Sequence, residues 1–197
     1  MTQPFEGRRE DERLLTGRGR YAADWSFPGQ LHAHFLRADR AHAEIVSIRT
    51  SEAGRARGVV KVFTGEDMAA LKTPPPIVKY PGRGGAALKV PPRPVLARGR
   101  VRYVGEEVAL VVAHSAAAAQ DAAELIELEY RDRPVLVEAG DALAPGAMQI
   151  HAEIAGNLCF DYEYGDEAAA AAALAGAAHV TRLTLEAVRI AGSPMEP

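Results

Sequence analysis

With 197 residues, 48% of them hydrophobic and 25% charged, the chain has the size and balance of one folded core or of a compact domain with an appended piece. Its formal net charge of -3 gives no broad attraction to a phosphate backbone or an anionic lipid surface, so nucleic acid and membrane are not expected partners. The single cysteine, Cys159, excludes an internal disulfide and cannot alone hold an iron–sulfur cluster, and no apolar run approaches the ~18 residues of a membrane span.

Residues 1–20 are polar and basic, with Arg8, Arg9, Arg13, Arg18 and Arg20, and read as an arm that orders by packing on something else. The twin arginine Arg8-Arg9 is followed by Glu10, Asp11, Glu12 and Arg13, where an export signal needs an apolar region; the chain reads as cytoplasmic. Leu31 to Leu36 and Ala43 to Ile48 have strand-like patterning around the turn-like Asp39-Arg40, which predicts an antiparallel pair. Ser51 to Arg57 suggests a helical turn before Gly58, and Val59 to Phe63 a strand. Thr64 is placed to cap a helix over Glu66 to Leu71, with Glu66 and Asp67 in its first turn.

From Thr73 to Arg93, Pro74-Pro75-Pro76, Pro81, Gly84-Gly85 and Pro91-Pro92 predict a long surface loop, more a packing arm or connector than a polyproline ligand. Strands are expected over Val101 to Val104 and Val108 to Ala113. Ser115 should cap an alanine-rich helix to about Ile126, and a strand should follow over Leu125 to Tyr130. This order suggests a mixed sheet with helices on one face, ending near Pro145-Gly146. Beyond it, Leu158 to Tyr164 and Val180 to Ile190 read as strands flanking a helix over Glu167 to Leu174, capped by Asp166.

Few residues offer chemistry. His32 and His34 share a strand face, but a metal would need a third ligand from His42 or an acid. Glu106 and Glu107 are adjacent, so on a strand they point to opposite faces and do not form an acid–base pair. Cys159, inside Leu158-Cys159-Phe160, reads as a small buried hydrophobe. Gly82-Arg83-Gly84-Gly85 lacks the strand, helix start and Lys-Ser/Thr of a phosphate loop, and Gly17-Arg18-Gly19-Arg20 lacks the preceding strand and third glycine of a dinucleotide fingerprint.

Several ordered blocks carry a family resemblance. Arg8-Arg9-Glu10-Asp11 leads into Leu14-Leu15-Thr16-Gly17-Arg18-Gly19-Arg20-Tyr21, Ala23-Asp24 and Pro28-Gly29-Gln30-Leu31-His32-Ala33. Then come Arg93-Pro94-Val95-Leu96-Ala97, Val101-Arg102-Tyr103-Val104-Gly105-Glu106, Gln120-Asp121-Ala122-Ala123-Glu124 and the closing Arg189 to Pro197. Together they resemble the molybdopterin-binding large subunit of the xanthine dehydrogenase, aldehyde oxidase and carbon monoxide dehydrogenase family. The resemblance implies an α+β fold with three parts: an arm over 1–20, an α/β hammerhead domain (a mixed sheet with short helices) over 21–144, and the truncated start of a molybdopterin-binding region over 145–197. Two departures stand out. Glu107 occupies a position where relatives more often carry proline, and Ala38-Asp39-Arg40 one where they more often carry Ser-Pro-His.

The resemblance also implies hydroxylation of a carbon centre at a molybdenum group on a pterin, with electrons leaving through iron–sulfur clusters to FAD on partner chains. The family's glycine-rich cofactor loops and active-site glutamate lie beyond Pro194-Met195-Glu196. No catalytic, cofactor-binding or metal residue is therefore carried over, Glu196 included. The expectation is the N-terminal portion of a molybdenum hydroxylase large subunit, with a structural and subunit-contact role and no activity or cofactor alone. Its expected partners are the remaining large-subunit region, an iron–sulfur subunit and an FAD subunit. The alternative is a stand-alone, cofactor-free binding or assembly module.

Overall fold

A computed structural model describes residues 7–71, 76 and 81–185, and divides the chain into two compact units: residues 1–30 with 168–197, and residues 31–167. In the first unit the arm carries a short helix, α1 (Asp11–Leu15), which the sequence reading did not place. It is held locally: the Asp11 carboxylate accepts the Arg8 N–H at 2.9 Å, and the Thr16 hydroxyl donates to the Glu12 carbonyl at 2.6 Å.

The second unit holds six strands and three helices among its described residues. They are β1 (His32–Arg37), β2 (Ala43–Arg49), α2 (Ser51–Arg55), β3 (Val59–Thr64), β4 (Arg100–Val101), β5 (Glu107–Ala113), α3 (Ala116–Glu124), β6 (Glu127–Asp132) and α4 (Ala139–Ala142). A further helix, α5 (Glu167–Ala175), spans the boundary between the units and matches the predicted position to within one residue.

The α+β class holds, but the sheet is not single and not mixed. Two three-stranded sheets form, sheet A in the order β1-β5-β3 and sheet B in the order β4-β2-β6, and every pairing is antiparallel. The expected β1–β2 hairpin is absent for a visible reason. Ala38 exchanges backbone hydrogen bonds with the far end of β5, its N–H to the Glu106 carbonyl and its carbonyl from the Gly105 N–H, both at 2.8 Å. A register shift between Leu36 and Arg37 bends the strand there, so the chain leaves sheet A and enters sheet B at Ala43.

One core lies between sheet A and α3. Ala109, Val111 and Ala113 of β5 face Ala119, Ala122 and Ala123 of α3, the i, i+3, i+4 stripe expected of a helix laid on a sheet. Small side chains let the helix come close, and the Ser115 cap bond, accepted from the Ala118 N–H at 3.1 Å, fixes where it starts. A second core gathers Ala38, Ala43, Ala97, Val101 and Val108. Ile48 and Leu128 pack against both cores, so the sheets share one apolar junction.

Other predicted elements differ. Glu66 to Leu71 forms successive turns rather than a helix. The cap there runs in reverse, with the Asp67 carboxylate accepting from both the N–H (2.7 Å) and the hydroxyl (3.0 Å) of Thr64. β4 stops after two residues because the chain turns at Arg102 to Gly105, where Gly105 takes φ +88°, a conformation that only glycine adopts without strain. Leu158 to Tyr164 is not a strand. Among the described residues its backbone ties are to the proline-rich loop, with the Asp161 carbonyl accepting from Arg83 at 2.8 Å and the Cys159 carbonyl from Lys89 at 3.0 Å. A loop of prolines and glycines cannot supply a regular ladder. Residues 180–185 form no regular element, while 186–190 of the predicted last strand, residues 73–75 and 77–80 of the proline-rich loop and Glu196 lie outside the described residues.

Candidate functional site

The most built recess of the second unit surrounds the turn between β4 and β5. After Val101 the backbone reverses, and the Glu106 side chain folds back to accept the Arg102 N–H at 2.5 Å. Glu106 is only 7% exposed, and burial raises its carboxyl above the ordinary carboxylate range, against the opposing pull of the Arg102 N–H. The Arg102 side chain continues outward, its Nε donating to the Ile150 carbonyl at 3.4 Å, and so ties the turn to the segment after α4.

A cleft of about 690 Å³ opens over this turn, lined by Phe35, Pro92, Pro94, Tyr103, Glu106 and His151. His151 is half-buried, and its Nδ1 is shielded from solvent with no hydrogen-bond partner. Burial, then the positive Arg102, lowers its affinity for a proton and so favours the neutral ring. Burial, followed by the charges of Glu106 and Glu107, raises the Tyr103 hydroxyl.

Glu106 and Glu107 engage different partners. The Glu107 carboxylate meets Arg37 Nη1 at 2.7 Å, and the same nitrogen donates to the Gly105 carbonyl at 2.8 Å. Glu107 thus opens β5 and gains an ion pair that a proline there would lack. One carboxylate is thus committed to a backbone N–H and the other to Arg37.

The histidines read from the sequence separate. His32 and His34 sit half-buried in β1 opposite Ala113 and Val111, whereas His42 is buried, with its Nδ1 2.8 Å from the Pro134 carbonyl. Among the described residues no three His, Cys, Asp or Glu side chains group as a metal site. Cys159 is half-buried in the segment tied to the proline-rich loop.

Sequence reasoning missed Asn157. It sits at φ +54° and joins three stretches of backbone: its Oδ1 accepts from Ile150 N–H at 2.8 Å, and its Nδ2 donates to the Ala142 carbonyl at 3.0 Å and the Met148 carbonyl at 2.9 Å. The dipeptide Gly156-Asn157 was the available signal, because asparagine is among the few residues that tolerate the left-handed conformation.

Comparison with known proteins places this architecture. Residues 16–134 match the family model described as aldehyde oxidase and xanthine dehydrogenase, a/b hammerhead domain. The large subunit of nicotine 6-hydroxylase from Paenarthrobacter nicotinovorans is 39% identical over 96% of this chain and 22% of its own length. Among solved structures, quinoline 2-oxidoreductase from Pseudomonas putida 86 is 45% identical with a TM-score of 0.61, over 69% of this chain and 17% of that one. Reconstituted CO dehydrogenase from Oligotropha carboxidovorans is 33% identical with a TM-score of 0.70, over 88% of this chain and 22% of that one. The chain therefore spans less than a quarter of the length of these relatives. With more than half of its residues inside the matched domain, the chain belongs to the aldehyde oxidase and xanthine dehydrogenase family through its a/b hammerhead domain.

Proposed function

We propose that this chain is the hammerhead-bearing portion of a molybdenum hydroxylase large subunit, and that its own role is to position and contact the parts that carry the redox groups. The observation that carries this reading is the alignment of nearly the whole chain, 96% of it, with a relative named as a large subunit. On this reading residues 1–20 are an arm, 21–144 the hammerhead domain and 145–197 the start of the molybdopterin-binding region. The enzyme works in the cytoplasm, with iron–sulfur and FAD groups on partner subunits.

A cluster needs several thiolates, and the chain has one cysteine. No chemical step is placed on this chain. No helix among the described residues is long and apolar enough to cross a membrane.

The test is co-purification. The tagged chain is co-expressed with a polypeptide carrying the rest of a large subunit and with iron–sulfur and FAD subunits. The reading predicts a stoichiometric complex with flavin and iron–sulfur absorbance; a chain that purifies alone from that mixture contradicts it and favours a stand-alone module.

A further inference from the structure

The outer face of sheet B is unevenly charged. Its strands alternate, so Ala43, Ile45, Val101 and Tyr130 pack into the second core while Glu44, Arg100 and Arg131 stand on the opposite face. The register aligns these three across the sheet, with Glu44 of β2 opposite Arg100 of β4 on one side and Arg131 of β6 on the other. Arg133, two residues beyond Arg131, reaches the same carboxylate.

Arg100, Arg131 and Arg133 meet Glu44 at 3.7, 3.2 and 2.5 Å. The Arg133 hydrogen bond first, then the charges of Arg133, Arg131 and Arg100, outweigh burial and hold the Glu44 carboxyl below the ordinary carboxylate range. One anion among three cations leaves a surplus of two positive charges. Hydrogen-bond donors are in surplus as well: each guanidinium carries about five N–H groups, whereas one carboxylate offers about four acceptor sites.

The neighbouring acids are engaged elsewhere. Glu127 pairs with Arg49 at 2.6 Å, Glu129 accepts from the Ser47 hydroxyl at 3.2 Å, and Asp132 and Asp39 meet Arg40 at 3.4 and 3.1 Å. With Arg49 and Glu127 cancelling each other, the face runs from the negative charge of Glu129 to the positive end at Arg100, Arg131 and Arg133. The whole chain has a net charge of -3, so this end is a local feature and not a reflection of bulk charge.

Position decides the kind of ligand. Glu44 sits where the three guanidiniums converge, so a compact anion has no place at that point and an incoming ligand meets the cations from outside. Their stems rise from strands on either side of β2, about 10 Å apart, which makes their outward flanks separate points of attachment. Arg131, with 72% of its side chain exposed, is the most accessible of the three. Carboxylates spaced along a polypeptide fit such points; a single phosphate does not.

We propose that this end of sheet B is a docking surface for an acidic segment of a partner polypeptide, whose carboxylates engage Arg131 first and Arg100 and Arg133 beside it. The inference rests on this patch and not on the large-subunit reading.

Fluorescence anisotropy of a labelled hexaglutamate peptide, titrated with the full chain at low and high salt, tests it. Saturable binding is expected, weakened several-fold as salt screens the contacts. Arg131→Ala should weaken it about two- to fivefold, and Lys61→Ala, which removes the same charge from an exposed position of sheet A, should leave it unchanged. Glu44→Gln removes the internal competitor and should tighten binding by a similar factor, whereas a role confined to holding sheet B together predicts no gain. No binding by the wild-type chain, equal weakening by Arg131→Ala and Lys61→Ala, a folded Glu44→Gln chain that binds no tighter, or an oligothymidylate of equal charge that binds better than the peptide would each overturn the proposal. The contrast between Arg131→Ala and Lys61→Ala decides the matter if Glu44→Gln does not fold.

Discussion

The carboxylate of Glu106 accepts the backbone N–H of Arg102 at 2.5 Å from a position only 7% exposed. A charged group is thereby spent on holding the β4–β5 turn. Glu106→Ala leaves that N–H unpaired and should cost about 1–3 kcal/mol, whereas Glu106→Gln keeps an acceptor and should cost much less. Urea denaturation of the two variants at pH 7 separates these outcomes.

The same carboxyl sets a pH dependence. Because burial raises Glu106, the folded chain keeps this proton to higher pH than the unfolded chain does. Its effect on stability is most favourable below the ordinary value of about 4.3 and declines as pH rises through the folded value. Glu106→Gln should flatten that decline, as read from denaturation midpoints across the acidic range.

His151 acts in the opposite sense. Its folded affinity for protons is lowered by burial and then by Arg102, so the unfolded chain takes up the proton first as pH falls below about 6.5. Stability should therefore fall with acidification in that window. His151→Gln should remove this part of the fall, measurable in the same titration.

Asn157 supports three backbone groups at φ +54°. Asn157→Ala loses all three bonds and places alanine in the left-handed region, for an expected cost of about 2–4 kcal/mol. Asn157→Asp keeps one acceptor but cannot donate to Ala142 and Met148, and should recover only part of that loss. Thermal unfolding of both variants checks the ranking.

The α3 stripe gives a packing test. Ala122 is fully buried against β5, so Ala122→Leu forces extra volume into a close-packed contact, at about 1–3 kcal/mol. Ser115→Ala removes the helix cap and should cost about 1 kcal/mol. Denaturant midpoints of the two variants report each loss.

The elements with local signals were legible in the sequence. Ser115 ahead of an alanine run gave α3, the β-branched run after Gly58 gave β3, and Asp166-Glu167 gave the start of α5. What was not legible depends on distant partners. Nothing near Leu36 announces that Ala38 will bond to Glu106 and Gly105, so the hairpin expected there became a crossing between sheets. Likewise Thr64 looks like a donor-capping residue, and only the fold shows Asp67 doing the capping. At the candidate site, the adjacency of Glu106 and Glu107 predicted different surroundings for the two, and each does engage its own partner. The burial of Glu106 and the hub at Asn157 come from tertiary packing that no short spacing encodes.

The central claim, that this chain is the hammerhead portion of a molybdenum hydroxylase large subunit, is tested most directly by molybdenum content. Elemental analysis would compare the purified chain alone with the complex formed when a polypeptide carrying the rest of a large subunit is co-expressed. The account predicts molybdenum in the complex and none on the chain alone. Stoichiometric molybdenum on the isolated chain, or none in either preparation, would contradict it.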